Sequence, residues 1–133
     1  MQKQEKPLTN KNAKIKDFRD LIIWQRSVKL VCNIYETTKK FPKDERFGLV
    51  LQIRRASISI PSNIAEGFAR RGNKEYRRFL YISLGSCAEL ITQLVISSNL
   101  EYIREEEMDE LIDEIEQISK MIMSLIKKID ENL

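Results

Sequence analysis

The 133-residue chain contains no histidine. That absence removes the commonest general base, the commonest metal ligand and every Ser–His or Cys–His nucleophile pair. Cysteine is nearly as scarce. Cys32 and Cys87 stand far apart, each inside an apolar periodic run. With no CxxC spacing they do not make a zinc site, and both read as buried thiols acting as small hydrophobes. Only four glycines and three prolines punctuate the chain, so long elements are expected. No run of ~18 purely apolar residues offers a membrane span. The N-terminal "MQKQEKPLTNKNAKIKD" lacks the apolar stretch of a signal peptide. A cytoplasmic, non-enzymatic protein without cofactor, metal or small-molecule substrate is the expectation.

The residues that are present are 42% hydrophobic and 32% charged, the balance of a soluble domain. A single domain of this length buries roughly two-thirds of its extended surface, enough for a core without metal or disulfide. Residues 1–17 read as a basic, unstructured tail and residues 18–133 as one bundle.

Four helical seams follow. Leu21, Trp24, Val28, Val31 and Tyr35 recur at spacings of 3 and 4, and Phe41-Pro42 ends that run. Asp44 and Glu45 suit the first turn of a second helix, whose seam is Leu49, Ile53, Ala56, Ile60, Ile64 and Phe68. Gly72-Asn73 breaks the chain, with Asn73 placed to cap a third helix carrying Tyr76, Leu80, Ser83, Cys87, Leu90 and Leu94. Glu105, Glu106 and Glu107 open a fourth, with Met108, Leu111, Ile115, Ile118, Ile122, Leu125 and Ile129, and Lys127 and Lys128 sit in its last turn. "ASISI" alternates like a strand, but the helical seam extends on both sides of it and no partner strand exists. Short links between four helices imply an all-α, up-down-up-down four-helix bundle.

The stretch "RRASISIPSNIAEGFARR", residues 54–71, sets Pro61 inside the second helix. A proline there deletes the hydrogen bond to the Ser57 carbonyl and costs ~3 kcal/mol, so helix 2 is expected to kink at Pro61. The hydroxyls of Ser57, Ser59 and Ser62 are placed to satisfy the freed backbone. No glycines bracket a serine in the manner of a nucleophile elbow.

Helix 2 also carries a second apolar stripe, Leu51, Ile58, Ala65 and Ala69, beside a polar strip of Arg55, Ser59, Ser62 and Glu66. A helix apolar on two sides is usually buried on two sides, and the small alanines let another chain approach. The stripe therefore reads as an oligomer interface, against the plainer view that its residues are tolerated at the surface. Charge is divided as well. Residues 1–78 hold nineteen Lys/Arg against eight Asp/Glu, and residues 79–133 hold four against twelve. "ARRGNKEYRR" gathers Arg70, Arg71, Lys74, Arg77 and Arg78 around Tyr76. Such a corner is the footprint of a phosphate-binding surface, or else of an acidic-to-basic contact between helices, subunits or proteins. Tyr76 falls at a seam position and is expected in the core rather than as a stacking platform.

"FRDLIIWQRS", "FPKDERFGLVLQIRRASISIPSNIAEGFAR" and "YRRFLYISLGSCAELITQL" closely resemble the four-helix bundle proteins encoded in intervening sequences of bacterial 23S rRNA genes. The resemblance covers about residues 18–103. It implies a left-handed bundle assembled as a homopentamer. It also implies kinship in fold with the basic, pentameric accessory proteins of diversity-generating retroelements, which engage a reverse transcriptase and nucleic acid. It supplies no settled activity. The family motif falls on Gln52, Arg54, Arg55, Pro61, Ser62, Asn63, Ala65, Glu66 and Gly67, then on Gly85, Ser86, Glu89 and Gln93. Of these, Arg55, Pro61, Asn63, Glu66 and Glu89 read first as structural, with Glu89 meeting an arginine or Asn63 of helix 2. The leading reading is an oligomeric bundle that binds RNA or other nucleic acid through its basic corner. The alternative is a protein–protein interaction scaffold whose corner meets an acidic protein partner.

Overall fold

The computed structural model describes residues 15–133, so most of the expected tail lies outside the described residues. Four helices carry the chain: α1 Ile22–Thr38, α2 Leu49–Ala69, α3 Asn73–Asn99 and α4 Glu105–Glu131. Among the described residues there is no strand. Each helix packs on its neighbours in sequence, most extensively α2 on α3, and α4 closes back onto α1. The all-α four-helix reading is therefore the observed fold.

The seams of α2, α3 and α4 face inward as the spacing requires. Ile53, Ile60, Ile64, Leu80, Leu90, Leu94, Ile115, Ile118 and Ile122 are fully enclosed. In α1 the phase differs by one residue. The buried face is Ile23, Ser27, Leu30, Ile34, Thr37 and Thr38, while Trp24, Val28, Val31 and Tyr35 are half-buried at its flank. The cause is that two polar residues are made fit for the core by their own helix. Ser27 Oγ donates to the Ile23 carbonyl at 2.6 Å and Thr38 Oγ1 to the Ile34 carbonyl at 2.8 Å, so neither leaves a buried donor open. The same shift turns Cys32 outward: it is exposed, whereas Cys87 is buried, and burial pushes its thiol up.

Two helix starts also differ from the sequence reading. Asp44 and Glu45 lie in a separate 3-10 turn, Lys43–Glu45, before α2 begins. From there Glu45 acts at a distance: Oε1 accepts the Leu49 N–H at 3.1 Å and Oε2 accepts the Tyr102 hydroxyl at 2.9 Å. One carboxylate thus caps α2 and ties it to the α3–α4 link. Arg54 ties the other side. Its Nε donates to Thr38 Oγ1 at 3.0 Å, and its guanidinium lies 4.3 Å over the Tyr35 ring, at the C-terminal end of α1 where a cation suits the dipole.

α2 runs unbroken through the buried Pro61. The nearby hydroxyls do not turn to the Ser57 carbonyl. Ser57 Oγ donates to the Arg54 carbonyl, and Ser59 Oγ shares a 2.7 Å bond with Ser86 Oγ of α3. Ser83 Oγ of α3 donates across to the Ile60 carbonyl at 3.0 Å. These bonds fix an antiparallel register, and Gly67 lets the helices close. A Cβ at Gly67 would stand 2.7 Å from Phe79 Cβ and 3.2 Å from the Tyr76 ring. Overpacking of that kind costs about 1–3 kcal/mol. Gly67→Ala is therefore expected to lower the thermal midpoint by several degrees with helix content retained, read by circular dichroism melts. A midpoint equal to wild type would mean the contact is looser than the geometry requires.

Candidate nucleic-acid interface

Three residues, Arg70–Gly72, connect α2 to α3, and their backbone decides where the cations stand. Arg70 ends α2 in helical conformation. Arg71 follows with φ of 62°, the left-handed position that glycine usually fills, and its N–H returns to the Phe68 carbonyl. Gly72, one residue later, is extended and is the N-cap of α3. Asn73 is therefore the first helical residue rather than the cap, and no side chain caps this end.

The five cations of the corner do not form one open patch. Arg70 reaches Glu66 at 3.1 Å and Glu75 at 3.9 Å. Arg78 holds Glu75 through Nε at 3.2 Å, and this pairing holds the Glu75 carboxyl below its ordinary range. Arg77 turns away to α4, where Nε meets Asp130 Oδ1 at 2.6 Å. Arg71 and Lys74 are exposed and have no carboxylate within 4 Å among the described residues. The paired guanidinia also rest on rings: Arg70 and Arg78 lie 5.2 and 4.6 Å from the centroid of Phe79, and Arg77 lies 5.1 Å from that of Tyr81.

A concavity of about 670 Å³ opens beside the link, lined by Ile15, Lys16, Phe68, Arg71, Gly72, Asn73 and Tyr76. Lys16 thus joins Arg71 from a segment more than fifty residues away, which nothing local in the sequence could signal. Tyr76 packs edge-on against Phe68 with ring centroids 5.8 Å apart. Its hydroxyl is enclosed without a partner among the described residues, and burial pushes the phenol up. The ring is packing, not an exposed platform.

Asn63 turns back on its own helix, donating to the Ser59 carbonyl and to Ser59 Oγ. Glu66 is exposed and takes Arg70. Glu89 meets neither Asn63 nor an arginine. It is exposed and accepts a long 3.4 Å bond from Gln93 Nε2. Arg55 is exposed, with no polar partner among the described residues. Of the expected interface stripe, Leu51 and Ala65 are half-buried while Ile58 and Ala69 are exposed.

The sequence reading missed the apolar outer face of α3, where Tyr81, Ile82, Val95 and Ile96 are exposed. A signal was present. By length and composition alone α3 is apolar enough to cross a membrane, yet under half of its most apolar window is buried in the bundle. Leu80, Cys87, Leu90 and Leu94 make its inner face a core seam, and the surplus apolarity lies outside.

Four helices with a basic corner at one helix link define a small all-α bundle protein. The chain belongs to the 23S rRNA-intervening sequence protein family, whose model matches residues 19–124. Among curated proteins none matches. Among solved structures, the chain is similar to a protein of unknown function from the S23 ribosomal protein family of Bacteroides thetaiotaomicron. The two share 24% identity and a TM-score of 0.74, over 80% of this chain and 96% of that one. At that identity the likeness speaks for the fold.

A non-glycine residue in the left-handed region costs roughly 1–2 kcal/mol. Arg71→Gly is expected to raise the thermal midpoint by about 2–4 °C while removing a cation. Differential scanning calorimetry checks it, and a lower midpoint would show that the Arg71 side chain contributes packing that outweighs its strain.

Proposed function

We propose that the protein is a non-enzymatic homo-oligomer, a pentamer as the resemblance implies, that binds RNA through phosphate contacts at the α2–α3 corner. The observation that carries this reading is Arg71, a cation without an acidic partner among the described residues, standing in a backbone conformation that disfavours it, beside Lys74 and across a concavity from Lys16. Strain held at one exposed residue points to a role for that residue beyond folding.

The paired arginines refine the expectation. Exposed ion pairs are worth only about 0–1 kcal/mol, so a phosphate can take Arg70 and Arg78 from Glu75 at small cost. Three cations, Lys16, Arg71 and Lys74, contact phosphate first. With about three phosphates neutralised per engaged subunit, log K falls with log salt at a slope of about −2 to −3. Repetition of the corner around an assembly turns weak contacts into avidity. Sequence preference is slight, because phosphate contacts position rather than specify.

Fluorescence anisotropy with a labelled RNA hairpin across a salt series tests this reading. Arg71→Ala/Lys74→Ala is expected to weaken binding at least about tenfold and flatten the slope by about one to two. Glu75→Gln, which frees Arg78 and leaves Arg70 held by Glu66 alone, is expected to strengthen binding about three- to tenfold and steepen the slope. No binding by wild type at low salt, or equal affinity in all three proteins, would transfer the corner to an acidic protein partner. That second reading draws on the corner's existing habit of taking carboxylates: Glu66, Glu75 and Asp130 already sit on it.

A further inference from the structure

Two concavities of about 670 Å³ open on the bundle, and their linings are electrically opposite. The one between α1 and α4 is edged by Glu36, Glu107, Glu110 and Glu114. The one beside the α2–α3 link has no carboxylate among the described residues that line it. Its volume falls in the ordinary range for a ligand site, roughly 300–1,000 Å³. Three segments build it: Ile15 and Lys16 ahead of α1, Phe68 and Arg71 from the end of α2 and its link, and Gly72 with Asn73 at the start of α3. That helix start is open. Gly72 has no side chain to cap it, and the N–H groups of Asn73, Lys74 and Glu75 have no acceptor among the described residues. Unbonded donors at a helix start favour an anion, and here they share one hollow with two cations. Tyr76 lines the hollow too, with its enclosed hydroxyl unpartnered among the described residues. An enclosed hydroxyl without a partner is uncommon in a folded protein and marks a wall that a polar ligand can satisfy.

We infer that this hollow receives the terminal phosphomonoester of an RNA strand, with the last nucleoside against the half-buried Ile15 and Phe68. A chain end carries two negative charges on one phosphate once its second ionisation, near about pH 6, is complete, whereas an internal phosphodiester carries one. Lys16, Arg71 and the open start of α3 gather positive potential in one place, which suits two charges on one phosphorus better than charges spaced along a backbone. A hollow also admits an end more readily than a continuous strand, which must both enter and leave. The inference rests on the RNA reading above and names the part of the RNA that is held: an end, chosen by charge and not by base.

Fluorescence anisotropy with one hairpin, labelled in its loop, tests this in three forms: with a 5′-phosphate, with a 3′-phosphate, and with hydroxyls at both ends. The readout is the ratio of affinities within each protein, so a general loss of RNA binding cancels. At about pH 7.5 wild type is expected to bind a phosphate-ended form at least about tenfold tighter than the hydroxyl-ended one, and the preferred form names the end. At about pH 5.5 the advantage is expected to fall to about threefold or less, as the phosphate takes up a proton. The chain has no histidine, so few of its own groups titrate in that window. Gly72 is extended and a Cβ there meets no atom within 4 Å, so Gly72→Asp and Gly72→Asn are expected to fold, checked by circular dichroism. Either side chain caps the open N–H groups of α3, and each substitution is expected to bring the ratio to within about threefold of one. Gly72→Asn adds no charge and keeps the ratio readable where Gly72→Asp removes all binding. A wild-type ratio near one, with the hydroxyl-ended hairpin still bound, overturns the end site and leaves the RNA reading standing. A ratio unmoved by pH, or unmoved in the Gly72 variants, overturns it too, because the end is then held for another reason or in another place. No binding of any form at low salt overturns both.

Discussion

The close approach of α2 and α3 at Gly67 holds the rest of the molecule in place. Without a Cβ there, Phe79 can press against the α2 backbone, and the serine bonds farther along the pair come within reach. Phe79 is also the ring on which Arg70 and Arg78 lie. The contact that closes the core is therefore the contact that aims two of the corner's guanidinia. Stability and candidate site are coupled through one ring, so a substitution at Gly67 reaches the corner even though it touches no charge.

The link that follows sets a cost against a position. A helix ending in the left-handed conformation normally gives that place to glycine. Here the glycine comes one residue late, at Gly72, and Arg71 takes the strained position. Placing glycine at the strained position would make a quieter helix end. The observed order instead lifts a cation clear of the acids that hold Arg70 and Arg78, toward Lys16 and the concavity. Glu101, at the end of α3, adopts the same conformation, but there the N–H of Tyr102 returns to the Ser97 carbonyl at 2.9 Å and completes the turn. The Arg71 turn has no such second bond in the backbone.

The fold was legible wherever apolar spacing carried it. α2, α3 and α4 read correctly because Ile and Leu recur at helical spacing along their inward faces, even where Ser, Ala or Cys stands between them. α1 read one residue out of phase because Ser27 and Thr38 look polar as letters but bond to their own helix. Asp44 and Glu45 suited a helix start by charge, yet the carboxylate of Glu45 caps α2 from outside it. At the corner, the cations were legible and their partners were not. Glu75 is local, but Asp130 lies fifty-three positions from Arg77 and only the packing of α4 brings it there. Lys16 joined for the same reason. Sequence spacing reports which residues share a helix face, while pairing across helices depends on a register that only the packed bundle sets.

The divided charge of the chain acquires a geometry from that packing. α4 spends part of its acid within the subunit: Glu114 takes both Nε and Nη2 of Arg26, Glu107 faces Lys40 at 3.9 Å, and Asp130 takes Arg77. Glu105, Glu106, Asp109, Glu110, Asp113 and Glu116 remain exposed along the helix. The molecule is thus acidic along α4 and basic at the α2–α3 link. A polyanion approaching such a body is drawn to one corner and repelled from one side, which orients it before any contact forms.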